Sequence, residues 1–303
     1  MKNTLIFIFR LWARTGVALG WLYEYVDKYA YLFRNKKRFT QILGDTQLEC
    51  DLHDHIQRQI YFFGAYEPIE SFLLHNLLEE NDVVVDAGAN IGFYTLLMAQ
   101  KVKSGKVFGF EPVPKNFATL KHNISLSPHI HKIQLQNNGL WHEKDLLQFS
   151  LDESMEDNVG SFTAGKVEHA LHRESCAVFP LDEFCESFAK LDFIKMDIEG
   201  AELSALKGAQ KTIERLRPQF MIEINRKACE RFGYSPDEIF LFFKKLGYQF
   251  FQVGDVAERS RWIDSFSHIE QANVFVVNEK RQQKILQQWD SKEIKKHFIS
   301  LQH

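Results

Sequence analysis

Proline is scarce, with seven residues in 303, and no Pro-, Gly- or Ser-rich stretch interrupts the chain. That argues against a flexible linker between independent domains. Cysteine is scarcer still. Cys50, Cys176, Cys185 and Cys229 form no C-x-x-C pair and no Cys/His cluster of zinc spacing. A disulfide scaffold and a zinc module are therefore not expected, and reduced thiols in a cytoplasmic protein are. Charge of one sign is not in excess. The formal net charge of −3 speaks against a nucleic-acid partner, which clustered positive charge would attract.

An unbroken apolar run of membrane-spanning length, about 20 residues, is missing too. The nearest approach, "TLIFIFRLWARTGVALGWLYEYV" (4–26), is interrupted by Arg10 and Arg14. A signal peptide would place its positive charge before the apolar core, not within it. The segment mixes Trp12, Trp21, Tyr23, Tyr25, Tyr29 and Tyr31 with basic residues and runs into "RNKKR" (34–38). It reads either as a helical cap on the main domain or a second subunit, or as a basic aromatic segment making peripheral membrane contact through residues 1–38. The oligomeric state is left open.

What is present is ordinary for a globular chain: 45% hydrophobic and 25% charged residues, with 27 phenylalanines to fill a core. Short apolar runs rich in β-branched and aromatic residues predict strands at 82–87, 106–111, 132–137, 192–197, 219–224, 248–253 and 273–277. Helical stretches separate most of them: 93–102, 114–126, 201–216, and 235–247 with Ser235, Pro236 and Gly247 as boundary signals. This alternation predicts an α/β fold with a doubly wound, mostly parallel sheet. In such sheets ligands bind at the carboxyl ends of the strands, where Asp86, Glu111, Asp197 and Glu223 fall.

The first strand runs into the turn "DAGANIG". Gly88 supplies backbone freedom and lets a ligand approach the main chain, and Gly92 permits close packing of helix on strand. The following helix directs unpaired N–H groups and a positive dipole end at the turn. The spacing is Gly88-x-x-x-Gly92 and no G-x-G-x-x-G occurs, which counts against a dinucleotide. An acid at 86 would repel a pyrophosphate but suits ammonium or sulfonium charge, and S-adenosylmethionine carries both. Glu111, 25 residues on, ends the second strand where an acid accepts hydrogen bonds from ribose hydroxyls.

These residues bring a family into view. "FFGAYEP" (62–68), "DVVVDAGANIGFYTLLMA" (82–99), "VFGFEPVPKNFATLKHN" (107–123), "PLDEF" (180–184), "DFIKMDIEGAELSALKGA" (192–209) and "QFMIEI" (219–224) resemble the FkbM family of S-adenosylmethionine-dependent methyltransferases. The resemblance spans about residues 60–250, and "KMDIEGAE" is its most specific block. It implies a class I methyltransferase (Rossmann-like) fold with seven strands, the last antiparallel, over residues 61–278. Residues 1–60, read as a helical or irregular segment, and 279–303, read as a C-terminal helix, take nothing from the resemblance. It also implies methyl transfer from S-adenosylmethionine, usually to a hydroxyl oxygen of a small molecule such as a sugar or a lipid-linked glycan. Asp86, Gly88, Asn90 and Gly92 match its cofactor loop, Glu111 its ribose ligand, and Asn116 is grouped with these. Glu67 either meets the methionine end of the cofactor or caps the helix that follows.

"IKMDIEGAE" carries the remaining candidates. Strand alternation puts Lys195, Asp197 and Glu199 on one side until the chain turns at Gly200. A hydroxyl acceptor must lose a proton, so Asp197 is the first candidate for general base or orienting group. Lys195 could stabilise a developing alkoxide, and Glu223 would complete the cluster. No metal is assigned, although Asp197, Glu199 and Glu223 offer hard oxygens for a divalent cation. An ion-pair network around Lys195 is the structural alternative, and helix capping is the alternative for Glu202. The polar stretch 139–165, with Asn158, Gly160 and Ser161, reads as a loop near cofactor and acceptor or as a surface β-hairpin. His142, His169 and His172 are further acid/base candidates. A nucleotide- or NAD-dependent oxidoreductase and a catalytically inactive binding module are the competing functions.

Overall fold

The computed structural model describes residues 2–15, 17–42, 45–151, 162–164, 172–254 and 260–288. The chain opens with helices α1 (Lys2–Thr15) and α2 (Leu19–Lys28), then a hairpin of β1 (Lys37–Ile42) and β2 (Thr46–Asp51). Helices α3 (His55–Phe63) and α4 (Pro68–Leu77) lead into β3 (Val83–Ala87), α5 (Phe93–Lys101), β4 (Lys106–Phe110), α6 (Pro114–Ser125) and β5 (Ile133–Gln136). Next come β6 (Gly139–Leu140), β7 (Asp145–Leu151), β8 (Phe162–Ala164), β9 (His172–Phe179) and the short α7 (Leu181–Phe184). The second half holds β10 (Phe193–Met196), α8 (Glu202–Lys207), α9 (Gln210–Leu216), β11 (Gln219–Asn225), α10 (Arg226–Arg231) and α11 (Pro236–Lys245). It closes with β12 (Gln249–Gln252), β13 (Arg261–Ile263), β14 (Gln271–Val277) and α12 (Lys280–Gln288).

The central sheet has eight strands in the order β13-β12-β14-β11-β10-β3-β4-β5. The pairs from β11 to β5 are parallel, while β14 lies antiparallel between β11 and β12. Seven strands were expected. The eighth, β13, adds a hairpin to β12 at the sheet edge, through the pairs Phe250–Ile263 to Gln252–Arg261. All seven predicted strands are found within two residues of their expected ends.

Period-two alternation divides the core between the two faces. Val84, Val107, Phe193 and Phe275 pack under α4 and α5, while Val85, Phe108, Ile194 and Val276 pack under α8, α9 and α11. Asp86 and Lys195 share the parity of Val84 and Phe193, so both side chains lie on the α5 side. Ile6, Phe9, Leu22 and Val26 of α1 and α2 join that same cluster, which makes the lead-in part of the main core. The predicted helix 201–216 is split by Gly208 and Ala209. A Cβ on Gly208 would lie 2.0 Å from the Trp141 carbonyl oxygen, so the backbones meet there. Ser235 and Glu238 form the capping box that opens α11.

The stretch read as a loop or hairpin belongs to a second sheet, ordered β6-β9-β7-β8. Asn158, Gly160, Ser161 and His169 lie outside the described residues, as does the chain after α12.

Candidate active site

The strand order reverses between β3 and β10, and the turns after these strands border a cavity of about 220 Å³. Gly88, Asn90, Glu111, Asn116, Lys195, Asp197, Glu199 and Glu223 line it. Phe110, Val113 and Leu140 give it an apolar wall, and Leu147 and Val178 of the second sheet face it too.

Lys195 is the buried centre of the polar side. Its side chain is 4% exposed, with Nζ 3.8 Å from Asp86 Oδ1 and 3.4 Å from Asp197 Oδ2. It also donates to the Gly88 carbonyl at 3.3 Å and sits 5.1 Å above the Tyr94 ring. Burial alone would push the lysine down. The negative charges of Asp197, Asp86 and Glu67 outweigh it and hold the ammonium above its ordinary value.

Asp86 does not line the cavity. It is fully buried beneath the turn, where Thr95 Oγ1 donates to its Oδ2 at 2.5 Å and its Oδ1 has no hydrogen-bond partner. Burial raises its pKa, opposed by Lys195 and the Thr95 hydroxyl. The expected positive partner of Asp86 is therefore met inside the protein, by Lys195.

The glycines also act differently from expectation. A Cβ on Gly88 (φ +81°) would lie 1.9 Å from the Asp197 carbonyl oxygen, so this glycine makes room for the neighbouring turn. Gly92 (φ +98°) precedes α5 and faces Leu120 of α6, not the strand. The turn's amides are largely spent within the protein. Gly88 and Ala89 N–H donate to the Phe110 carbonyl, Asn90 N–H to Glu111 Oε2 at 2.8 Å, and Gly92 N–H to the Ala89 carbonyl.

Glu111 thus ties two turns together, since its Oε1 also accepts from Val113 N–H at 3.0 Å. Burial pushes its pKa up to about 7, against the pull of those two amides. Glu223 accepts from Gln271 Nε2 at 2.8 Å, and burial, then the charge of Asp197, pushes its pKa well above the ordinary carboxylate range. Glu202 accepts from Ile198 N–H, Gly200 N–H and the Tyr234 hydroxyl, so it holds the turn after Asp197. Glu199 enters that turn in the left-handed region, at φ 57°.

Glu67 is apart from the cavity lining. It makes no side-chain cap at α4, which removes the capping alternative. Tyr94 Oη donates to it at 2.6 Å and Asn273 Nδ2 at 2.9 Å. Among the described residues no group of three or more His, Cys, Asp or Glu side chains is arranged to hold a metal ion. His142 pairs with Glu143 and is exposed, and the backbone of His172 lies in β9.

Tyr66, Tyr94, His55 and Gln271 also line the cavity and were not anticipated. Tyr66 precedes Glu67 and Tyr94 follows Gly92 by two residues, so proximity to the matched motifs was their signal. His55 and Gln271 carry none, because β14 and the lead-in reach the site only through the fold.

The cavity suits S-adenosylmethionine. Glu111 retains accepting capacity for ribose hydroxyls, and the apolar wall matches an adenine ring.

Residues 86–250 match the family model described as the Methyltransferase FkbM domain. The chain is 27% identical over 147 residues to a Beauveria bassiana protein named methyltransferase 1, covering 43% of this chain and 59% of the relative. It is 32% identical over 147 residues to a Haloferax volcanii protein named as a hexuronic acid methyltransferase, covering 47% and 56%. The chain thus spans less than two thirds of these relatives. Among solved structures, a methyltransferase FkbM from Methylobacillus flagellatus KT is 20% identical, covering 73% of this chain and 52% of that one, with a TM-score of 0.44.

Proposed function

The chain belongs to the Methyltransferase FkbM domain family, whose cofactor is S-adenosylmethionine, and on that premise we propose that it methylates a hydroxyl oxygen of a small molecule, such as a sugar or a glycolipid. The observation that carries this reading is Asp197 at the cavity wall with a buried, charged Lys195 3.4 Å away. Glu67, Asp86, Gly88, Asn90, Gly92, Glu111 and Asn116 are proposed to build or support the cofactor side. Glu111 would accept from ribose hydroxyls, while Asp86 and Gly92 would act from behind the wall by holding Lys195 and α5.

S-adenosylmethionine supplies a methyl group already activated by its positive sulfur, so the protein's main task is alignment. Asp197 would accept the hydroxyl proton, and Lys195 would stabilise the oxygen's developing negative charge. Glu223, whose pKa burial and the charge of Asp197 raise, would complete the cluster and hold the acceptor's orientation. The relative named as a hexuronic acid methyltransferase supports a sugar acceptor.

The test is transfer of labelled methyl from S-adenosylmethionine to a panel of hexoses, hexuronic acids and their glycolipid conjugates. An alkali-stable ether product is expected. An alkali-labile ester would mean that a carboxylate, not a hydroxyl, is the acceptor.

A further inference from the structure

Helix α1 has two apolar faces. Ile6 and Phe9 are buried in the core, with Leu5, Trp12 and Ala13 packed beside them. On the opposite side Phe7 (63% exposed), Ile8 and Leu11 form a stripe that Arg14 continues at helical spacing. On α2, Leu22 and Val26 are buried while Trp21 (68% exposed), Tyr25 and the exposed Lys28 form a second outward stripe. Val17, 66% exposed, joins the two. Scattered exposed apolar residues need no explanation, but an outward apolar stripe on each of two consecutive helices does.

The charge is as uneven as the apolar surface. Residues 1–38 carry eight Lys/Arg and two Asp/Glu, a net of +6, in a chain of net −3, so the remainder carries −9. Arg14, Lys28, Arg34 and Lys37 are exposed. Among the described residues no helix is long and apolar enough to cross a membrane.

We propose that the outer face of α1 and α2 docks on an anionic lipid bilayer, with Phe7, Leu11 and Trp21 entering the headgroup boundary and the basic residues pairing with lipid phosphates. Exposed apolar side chains and a basic cluster are the two signals that together hold a peripheral protein on such a surface. Trp and Tyr favour the headgroup level. A second copy of the chain fits less well, because a two-fold contact would set like-charged segments against each other.

Through its other flank α2 also touches a residue of the cavity wall. Tyr23 of α2 lies 3.4 Å from His55 through Oη and Nε2, and Asp27 lies 3.4 Å from His55 and 2.9 Å from Arg58. His55 lines the cavity.

The test is co-sedimentation of the full chain with vesicles of phosphatidylcholine alone or mixed equally with phosphatidylglycerol, at low and high salt. Retention on the anionic vesicles is expected, weakened about ten-fold by high salt or by omitting phosphatidylglycerol. The double variant Phe7→Ser and Trp21→Ser should lose about ten-fold with an unchanged circular dichroism spectrum, since both side chains are exposed. No retention on anionic vesicles, or equal retention of the double variant, would overturn the proposal. So would a dimer in sedimentation velocity that the double variant dissolves while neither protein binds vesicles. No methyl acceptor enters this measurement, so its outcome is independent of the acceptor assay.

Discussion

Lys195 and Asp86 are register partners on the adjacent parallel strands β10 and β3, with Nζ 3.8 Å from Oδ1. Both are almost wholly buried, and the pair forms the floor under the Gly88 turn and Asp197. Breaking a buried pair by removing one partner leaves the other charge uncompensated, at a cost of about 3–5 kcal/mol. Lys195→Met should therefore lower stability by about that amount in urea unfolding. Asp86→Asn in the same chain should restore part of it. Full additivity of the two substitutions would show that the residues do not interact.

Gly88→Ala should destabilise by more than the ordinary cost of a turn glycine. The added Cβ would meet the Asp197 carbonyl oxygen at 1.9 Å, at a φ of +81° that alanine resists. A loss of about 3 kcal/mol or more in denaturant unfolding is expected, with reduced methyl transfer because Asp197 must move. A variant within about 0.5 kcal/mol of the parent would contradict the close approach of the two turns.

Most of the sheet was legible because its strands are short apolar runs bounded by clear turn signals, as in Val83–Ala87 and Gln219–Asn225. The added strand Arg261–Ile263 was not. It is three residues long at an edge, with one exposed and two half-buried residues and no apolar run. Motif residues at the site were legible by type and less so by role. Asp86 has the composition of a ligand-binding acid, yet its partner lies on a strand 109 residues away in sequence, the kind of pairing that local patterns do not encode. Gly92 likewise faces a leucine 28 residues on.

Buried carboxyls give a signed pH dependence. Burial pushes Glu202 from 4.5 to about 7, against three backbone hydrogen bonds, so the folded protein keeps the proton that the unfolded chain releases. Its contribution is complete below pH 4.5 and is lost as pH rises through about 7, by up to about 3 kcal/mol. Glu202→Gln cannot titrate, so its Tm should fall less than the parent's between about pH 5 and pH 8. Parallel Tm curves for the two proteins would contradict the buried, protonated state.

Asp197→Asn tests the chemistry. The substitution keeps the shape and removes the base, so methyl transfer should fall about 100-fold or more while S-adenosylmethionine affinity changes little. Transfer at the full rate would remove Asp197 from the reaction.

The central claim is that the cavity beside Gly88, Asn90 and Glu111 receives S-adenosylmethionine. Titration calorimetry with S-adenosylmethionine, S-adenosylhomocysteine and NAD on the parent and on Glu111→Ala addresses it most directly. Binding of both adenosyl compounds and not NAD is predicted, weakened about ten-fold or more in Glu111→Ala. Binding of NAD, with neither adenosyl compound bound, would contradict the account.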